Sequence, residues 1–229
     1  MPPEFPVNIQ KLIIGLENTQ SINSHLVTEL VSQSKVCPAD LKRYESFGHN
    51  PGESYGRKLI YDNGRFKILL MSWKSGDFTA IHNHGYTEWG CVYFFGNATH
   101  RIYEVENGEL RMIDKENFLD GQVAPVCGDL IHIMGNAGKT DFTTLHVYGT
   151  TTDGQKALED ALVYFPELDK MVTTTGPAFL NIDNSYIVKE EPFKKINPET
   201  FADYIQLVTP FFERNNLLEL LNKKQAQIN

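Results

Sequence analysis

The chain has 229 residues, of which 41% are hydrophobic and 22% charged, an ordinary globular usage that excludes collagen-like, coiled-coil and wholly disordered classes. Its 21 Lys and Arg against 29 Asp and Glu give a net charge of −8. With no basic block, this excludes a nucleic-acid backbone as the main partner. No apolar run approaches the roughly 18 residues of a membrane span, and the opening MPPEFPVNIQ lacks the basic start and apolar run of a signal peptide.

Residues 9 to 47 place Ile9, Leu12, Ile13 and Leu16, then Leu26, Leu30 and Val31, at three- and four-residue intervals, which predicts two or three short helices. From Tyr55 the period changes. Runs at 58–61 and 66–73 flank Asp62-Asn63-Gly64, and runs at 100–106 and 109–113 flank Asn107-Gly108, so both read as hairpins. Further short β-rich runs lie at 90–95, 130–134 and 143–148, and so many strands predict a barrel or sandwich. After Asp153 the strand pattern weakens. From Pro198 a long amphipathic helix is expected, carrying Phe201, Tyr204, Ile205, Val208, Phe211, Phe212, Leu217 and Leu221 and kinked or divided at Pro210. It packs outside the barrel or forms a dimer or partner contact. A single domain is expected, with a helical segment over 1–54, a core barrel over 55–153 and an extension over 154–229.

The three cysteines, Cys37, Cys91 and Cys127, are widely spaced and odd in number, so no disulfide framework is suggested and a reducing, cytoplasmic location is expected. Five of the seven histidines fall in the strand-rich region. His82-Asn83-His84 places two imidazoles on one face of a strand, and Gly128-Asp-Leu-Ile-His132, running on to Asn136, supplies a third from another strand. With Gly76 before the pair, Glu88 after it and Gly96 closing the next strand, the pattern is that of the cupin barrel. Three neutral imidazoles suit Fe, Cu, Ni or Zn. His25 and His49 read as surface residues, and His100 as lying outside the site.

In order along the chain, YGRKL at 55–59, NGRFKILLMSW at 63–73, IHNHG at 81–85, IHIMGN at 131–136 and TLHVY at 144–148 resemble the cysteine dioxygenase branch of the cupins, the thiol dioxygenases. The fold this implies is mainly β: a double-stranded β-helix, or jelly-roll, with helices outside it. The resemblance also implies an Fe(II) ion on His82, His84 and His132, a substrate carboxylate on Arg57 with Tyr55 beside it, and a Thr144, His146, Tyr148 series in the family's Ser-His-Tyr positions. On one strand these three alternate and share a face, as a hydroxyl, imidazole and phenol relay requires. The implied reaction is oxidation of L-cysteine by O2 to cysteine sulfinic acid, with a small-molecule thiol and O2 as the partners, no nucleic acid and no membrane.

Two positions depart from the pattern. Where mammalian members carry a cysteine cross-linked to the strand tyrosine, this chain has Trp89, then Gly90 and Cys91; an inserted residue in 85–89 would put Gly90 in the glycine position of bacterial members, and no thioether to Tyr148 is expected. Glu88 stands near the spacing of a fourth metal ligand in cupins resembling quercetinases and acireductone dioxygenases, and is placed instead in the loop or behind the ligands. Alternatives at this point are a 3-mercaptopropionate or other small-thiol dioxygenase, a non-thiol cupin oxygenase or isomerase using Glu88, and a catalytically silent metal or thiol sensor. The oligomeric state is open between a monomer and a homodimer through the C-terminal helix.

Overall fold

The computed structural model describes residues 5–228; residues 1–4 of the opening stretch read above against a signal peptide lie outside the described residues, as does Asn229. Three helices lead the chain: α1 (Val7–Glu17), α2 (Ser24–Gln33) and the single turn α3 (Pro38–Leu41). Asn23 caps α2 by accepting from the Leu26 amide at 2.9 Å. Twelve strands follow: β1 (Gly56–Asp62), β2 (Phe66–Trp73), β3 (Ile81–His82), β4 (Trp89–Phe95), β5 (Ala98–Glu106), β6 (Glu109–Phe118), β7 (Val123–Val126), β8 (Ile131–Gly135), β9 (Phe142–Gly149), β10 (Ala161–Phe165), β11 (Lys170–Thr174) and β12 (Ile187–Pro192). Two helices close the chain, α4 (Pro198–Arg214) and α5 (Leu218–Ile228).

The strands form two antiparallel sheets, one in the order β1-β2-β9-β4-β7 and the other β12-β11-β10-β3-β8-β5-β6. Residues from both sheets, among them Leu69, Trp73, Phe94, Met134 and Tyr148, meet in one buried cluster between them. This is the mainly β barrel that the sequence predicts. The β5–β6 hairpin turns on Asn107 and Gly108, with φ of 52° and 76°, the left-handed pair that a two-residue turn demands. Helices α1 and α2 cover the outer face of the first sheet through Ile9, Leu12, Val27 and Val31 against Ile68, Leu145 and Val147. Central strand β9 is consequently buried along its whole length.

Helix α4 covers the second sheet. Phe201, Tyr204, Val208, Phe211 and Phe212 pack on Ile81, Ile133 and Val163, and burial of each such side chain contributes about 1.5–3 kcal/mol. Arg101 on the outer face of β5 adds an ion pair to Asp203 at 3.0 Å. The helix division expected at Pro210 falls elsewhere. Helix α4 runs through Pro210, whose ring packs against Gly76, and the break comes at Asn216, held at φ 58°, a left-handed conformation that stops a helix. Beyond Asp153 the second sheet gains β10, β11 and β12, three strands in the segment whose pattern is weak, and β10 pairs directly with β3. None of the described helices is long and apolar enough to cross a membrane.

Candidate metal centre and active site

His82 ends the two-residue strand β3, which is hydrogen-bonded between β10 and β8 so that His82 stands directly opposite His132. His84 lies two residues on, not on the strand as the spacing predicts but past its end, where the chain enters the turn over Gly85 and Tyr86. That turn is pinned by the His84 amide to the Gly128 carbonyl at 3.2 Å and the Asn83 amide to the Leu162 carbonyl at 3.0 Å. The three rings converge: centroids of His82 and His132 are 4.5 Å apart, His84 and His132 4.8 Å, and His82 and His84 5.2 Å. One nitrogen from each lies within 4.8 Å of the others, a spacing suited to one ion.

All three rings are buried. Burial pushes the His82 imidazole down to about 4, opposed by its hydrogen bond to the Ala80 carbonyl. Burial and then neighbouring histidines hold His84 and His132 well below the usual imidazole range. Neutral rings offer lone pairs, which is the state a metal ligand needs. The outer nitrogens are held in different ways. His82 donates from Nδ1 to the Ala80 carbonyl at 2.9 Å, which leaves Nε2 as its lone-pair atom. Nδ1 of His84 is buried with no well-formed hydrogen bond, although the Cys127 backbone slightly favours its charged form. The donor set therefore fits a borderline divalent transition metal bound by three nitrogens, with the remaining positions free for other ligands.

A cavity of about 20 Å³ lies against the three rings and is lined also by Tyr55, His146, Tyr148, Leu158 and Gly176, space for about one water. On β9, Thr144, His146 and Tyr148 share the interior face. Oγ1 of Thr144 is 2.6 Å from Nε2 of His146, and Nδ1 of His146 is 2.6 Å from the Tyr148 hydroxyl. The direction of this chain follows from its ends. The Trp73 indole can only donate, and does so to Thr144 at 2.9 Å. The buried Thr144 hydroxyl then satisfies its own proton on Nε2 of His146. Burial, then Arg57 and His82, push His146 down to about 3, so the neutral ring carries its one proton on Nδ1 and donates it to Tyr148. The Tyr148 proton is left free to point into the cavity. Burial holds that phenol well above its usual range, so the proton stays in place.

Arg57 stands on β1 opposite Met71 of β2. Its Nε is buried without a hydrogen-bond partner, and a Cβ at Gly176 would come within 3.8 Å of its terminal nitrogen. Tyr55, fully enclosed and stacked at 4.9 Å on Trp73, accepts the Ala178 amide at 3.3 Å. Of the residues named from the sequence, Tyr55, His82, His84, His132, His146 and Tyr148 line the cavity, Thr144 is bonded to His146, and Arg57 lies beside Gly176 without lining it. Glu88 does not join them: it is exposed and accepts the Thr151 amide at 2.7 Å and the Thr151 and Thr152 hydroxyls, which hold its carboxyl below the usual range. Gly90 pairs across from Tyr148, where a Cβ would stand 3.1 Å from the ring. Cys91 faces the opposite way, into the layer under α2, and burial pushes its thiol up to about 12.

Two histidines lie elsewhere than the sequence predicts. His100 is no bystander: it is buried, with Nε2 2.7 Å from Nδ1 of His132. A signal for this exists, since strand alternation puts it on the interior face with Ala98. His49 is not a surface side chain either; only 4% of it is exposed, and it pairs with Asp77 at 2.9 Å. Nothing local in the sequence announces that pairing. Leu158, Gly176 and Ala178 also line the cavity, from loops whose sequence carries no motif.

The sequence matches the cysteine dioxygenase type I family over residues 1–159. The chain belongs to that family. It is accordingly an enzyme of the cysteine dioxygenase type, metal-dependent and built on a cupin barrel that holds a three-histidine group. Among solved structures, a Klebsiella pneumoniae protein with a double-stranded β-helix domain is similar at 17% identity and TM-score 0.38, over 50% of this chain and 90% of that one. A cupin superfamily protein of Desulfitobacterium hafniense is similar at 15% identity and TM-score 0.33, over 42% and 77%. A putative sugar phosphate isomerase of Acidithiobacillus ferrooxidans is similar at 17% identity and TM-score 0.39, over 60% and 84%. The dioxygenase family match ends before β10, so β10–β12, α4 and α5 lie outside it.

Proposed function

We propose that this enzyme oxidises L-cysteine with O2 to cysteine sulfinic acid, using Fe(II) held by His82, His84 and His132. The observation that carries this reading is the buried, unpartnered Nε of Arg57 in the same neighbourhood as three neutral, convergent imidazoles. A buried guanidinium nitrogen left unbonded costs about 1–3 kcal/mol or more, a cost that a bound carboxylate relieves. When bound, Fe(II) supplies the redox chemistry that places both atoms of O2 on a thiolate sulfur, the sulfinic rung of cysteine oxidation.

The chain's own residues supply the rest. Arg57 takes the substrate carboxylate, and its planar fork fixes the molecule's orientation in a way a lysine would not. Tyr148 directs its free proton into the cavity, held there by His146 and Thr144, and stabilises negative charge that develops beside the ion. Leu158, in the cavity wall, is held at φ 73°, a left-handed conformation that a bulky residue adopts only where its surroundings impose it.

Oxygen consumption by iron-loaded protein with cysteine, 3-mercaptopropionate and cysteamine tests the assignment. Turnover of cysteine over cysteamine by about a hundredfold, the worth of a charged bidentate contact, supports Arg57 as the carboxylate anchor. Equal turnover of the two would overturn the pose, and preference for 3-mercaptopropionate would move the substrate to a thiol acid without an amine.

A further inference from the structure

Of the three clustered rings, His132 alone is backed by a second imidazole and, through it, by a carboxylate. Nδ1 of His132 is 2.7 Å from Nε2 of His100, and Nδ1 of His100 is 3.1 Å from a Glu116 oxygen. Strand pairing builds this row. His100 of β5 stands directly across from Glu116 of β6, and on its other side β5 pairs with β8, which carries His132. With Nε2 of His132 turned to an ion, one proton arrangement satisfies every atom: His132 donates from Nδ1 to His100, and His100 donates from its own Nδ1 to the carboxylate. The ring of Phe118 lies 5.2 Å from that of His100, and a cavity of about 260 Å³ with largely apolar walls runs along the row. The Glu116 side chain, 40% exposed, is its outer end.

We propose that His100 and Glu116 are positioning residues that lock His132 in its Nδ1–H form and strengthen it as a donor, so that they set the affinity of the centre for its metal. This rests on the reading of His132 as a ligand. Outer partners of this kind are worth about 10–100-fold in metal affinity. The other two rings have weaker supports, a carbonyl for His82 and no well-formed bond for His84. The stabilisation supplied by the protein is therefore concentrated on His132.

The experiment is a metal titration of the apoprotein, with Fe(II) under argon and separately with Co(II), against a competing chelator. Melting of each apoprotein is recorded alongside. His100→Leu fills the space without an acceptor and should weaken binding about 10–100-fold. His100→Gln offers an amide oxygen to His132 and an amide N–H to Glu116, and should restore affinity to within a few-fold, with a Co(II) ligand-field spectrum closer to the parent than that of His100→Leu. Glu116→Gln, at a half-exposed position where folding is not at risk, keeps an acceptor but loses the charge, and should weaken binding measurably but less than His100→Leu, at unchanged apoprotein melting. Equal affinities for His100→Leu and His100→Gln, or no change in Glu116→Gln, would overturn the proposal. A His132→Ala control separates the two readings: if it keeps the metal, the ligand assignment fails, and if it loses the metal while the His100 and Glu116 variants keep theirs, only the relay fails.

Discussion

Two buried polar clusters in this molecule use the same kinds of side chain to opposite ends. Around Asp77, which is fully buried, every group finds a partner: its oxygens accept from His49 at 2.9 Å, from Arg214 at 2.8 Å and from the Lys74 amide at 2.8 Å, so β2, the N-terminal segment and α4 are tied together. Around His82, His84 and His132 the groups are left short: the inward nitrogens face one another, Nδ1 of His84 lacks a well-formed bond, and nearby Nε of Arg57 is unpartnered. Buried polar groups are normally satisfied within the protein, and each exception calls for a cause. The closed network is therefore a strut, and the open one is waiting for a ligand.

The comparison is broken most sharply by His132→Ala. Iron content measured on the purified variant should fall to the background of a metal-free protein, with oxygen uptake lost, while its folding remains cooperative. Retained iron would remove the distinction. Asp77→Ala should do the reverse. It strands His49 and Arg214 without their shared anion and should cost about 3–5 kcal/mol of stability, read as a drop of roughly 10 °C or more in the melting of the apoprotein, while Fe(II) stoichiometry at low temperature is unchanged. Next comes Arg57→Ala, for which kcat/KM with cysteine should fall about a hundredfold, some 2–3 kcal/mol for a charged contact, with iron still bound; an equal loss with cysteamine would show that Arg57 does something other than hold a carboxylate.

The smallest expected effect is a pH dependence. The hydrogen bond to Asp77 raises His49 above the usual imidazole range, against the opposing effect of burial. A raised folded-state value means that this stabilisation is fully present below the unfolded value near 6.5 and is lost as pH rises through the folded value. Denaturant unfolding of the apoprotein from pH 5.5 to 8.5 should show that decline, and the decline should be shallower in His49→Gln. Parallel curves for parent and variant would contradict the strut reading of this pair.

These contrasts also mark how far the sequence can be read. The metal cluster is legible in part because two of its histidines are two residues apart, although His84 reaches the site from beyond the end of β3, and because Thr144, His146 and Tyr148 alternate on one strand and share a face. The hairpin at Asn107-Gly108 is legible because only certain residues accept its backbone angles. What escapes depends on pairing between distant segments. His100 meets His132 only because β5 and β8 are neighbours in the sheet, and His49 meets an aspartate 28 residues away that α4 also reaches. Strand β3 is two residues long and β12 has no fully buried position, so neither carries enough of a hydrophobic period to be seen. Pro210 misleads because its ring's packing on Gly76 holds α4 together at a residue that ordinarily breaks helices.

The central claim, that the open cluster is a metal centre that directs oxygen onto a thiol beside Arg57, meets its most direct test in mass spectrometry of an incubation of iron-loaded protein with L-cysteine under isotopically labelled O2. The expected product is cysteine sulfinic acid carrying label in both new oxygens, formed by the parent and absent with His132→Ala. A single labelled oxygen, or unchanged cysteine in the presence of fully iron-loaded parent protein, would contradict it.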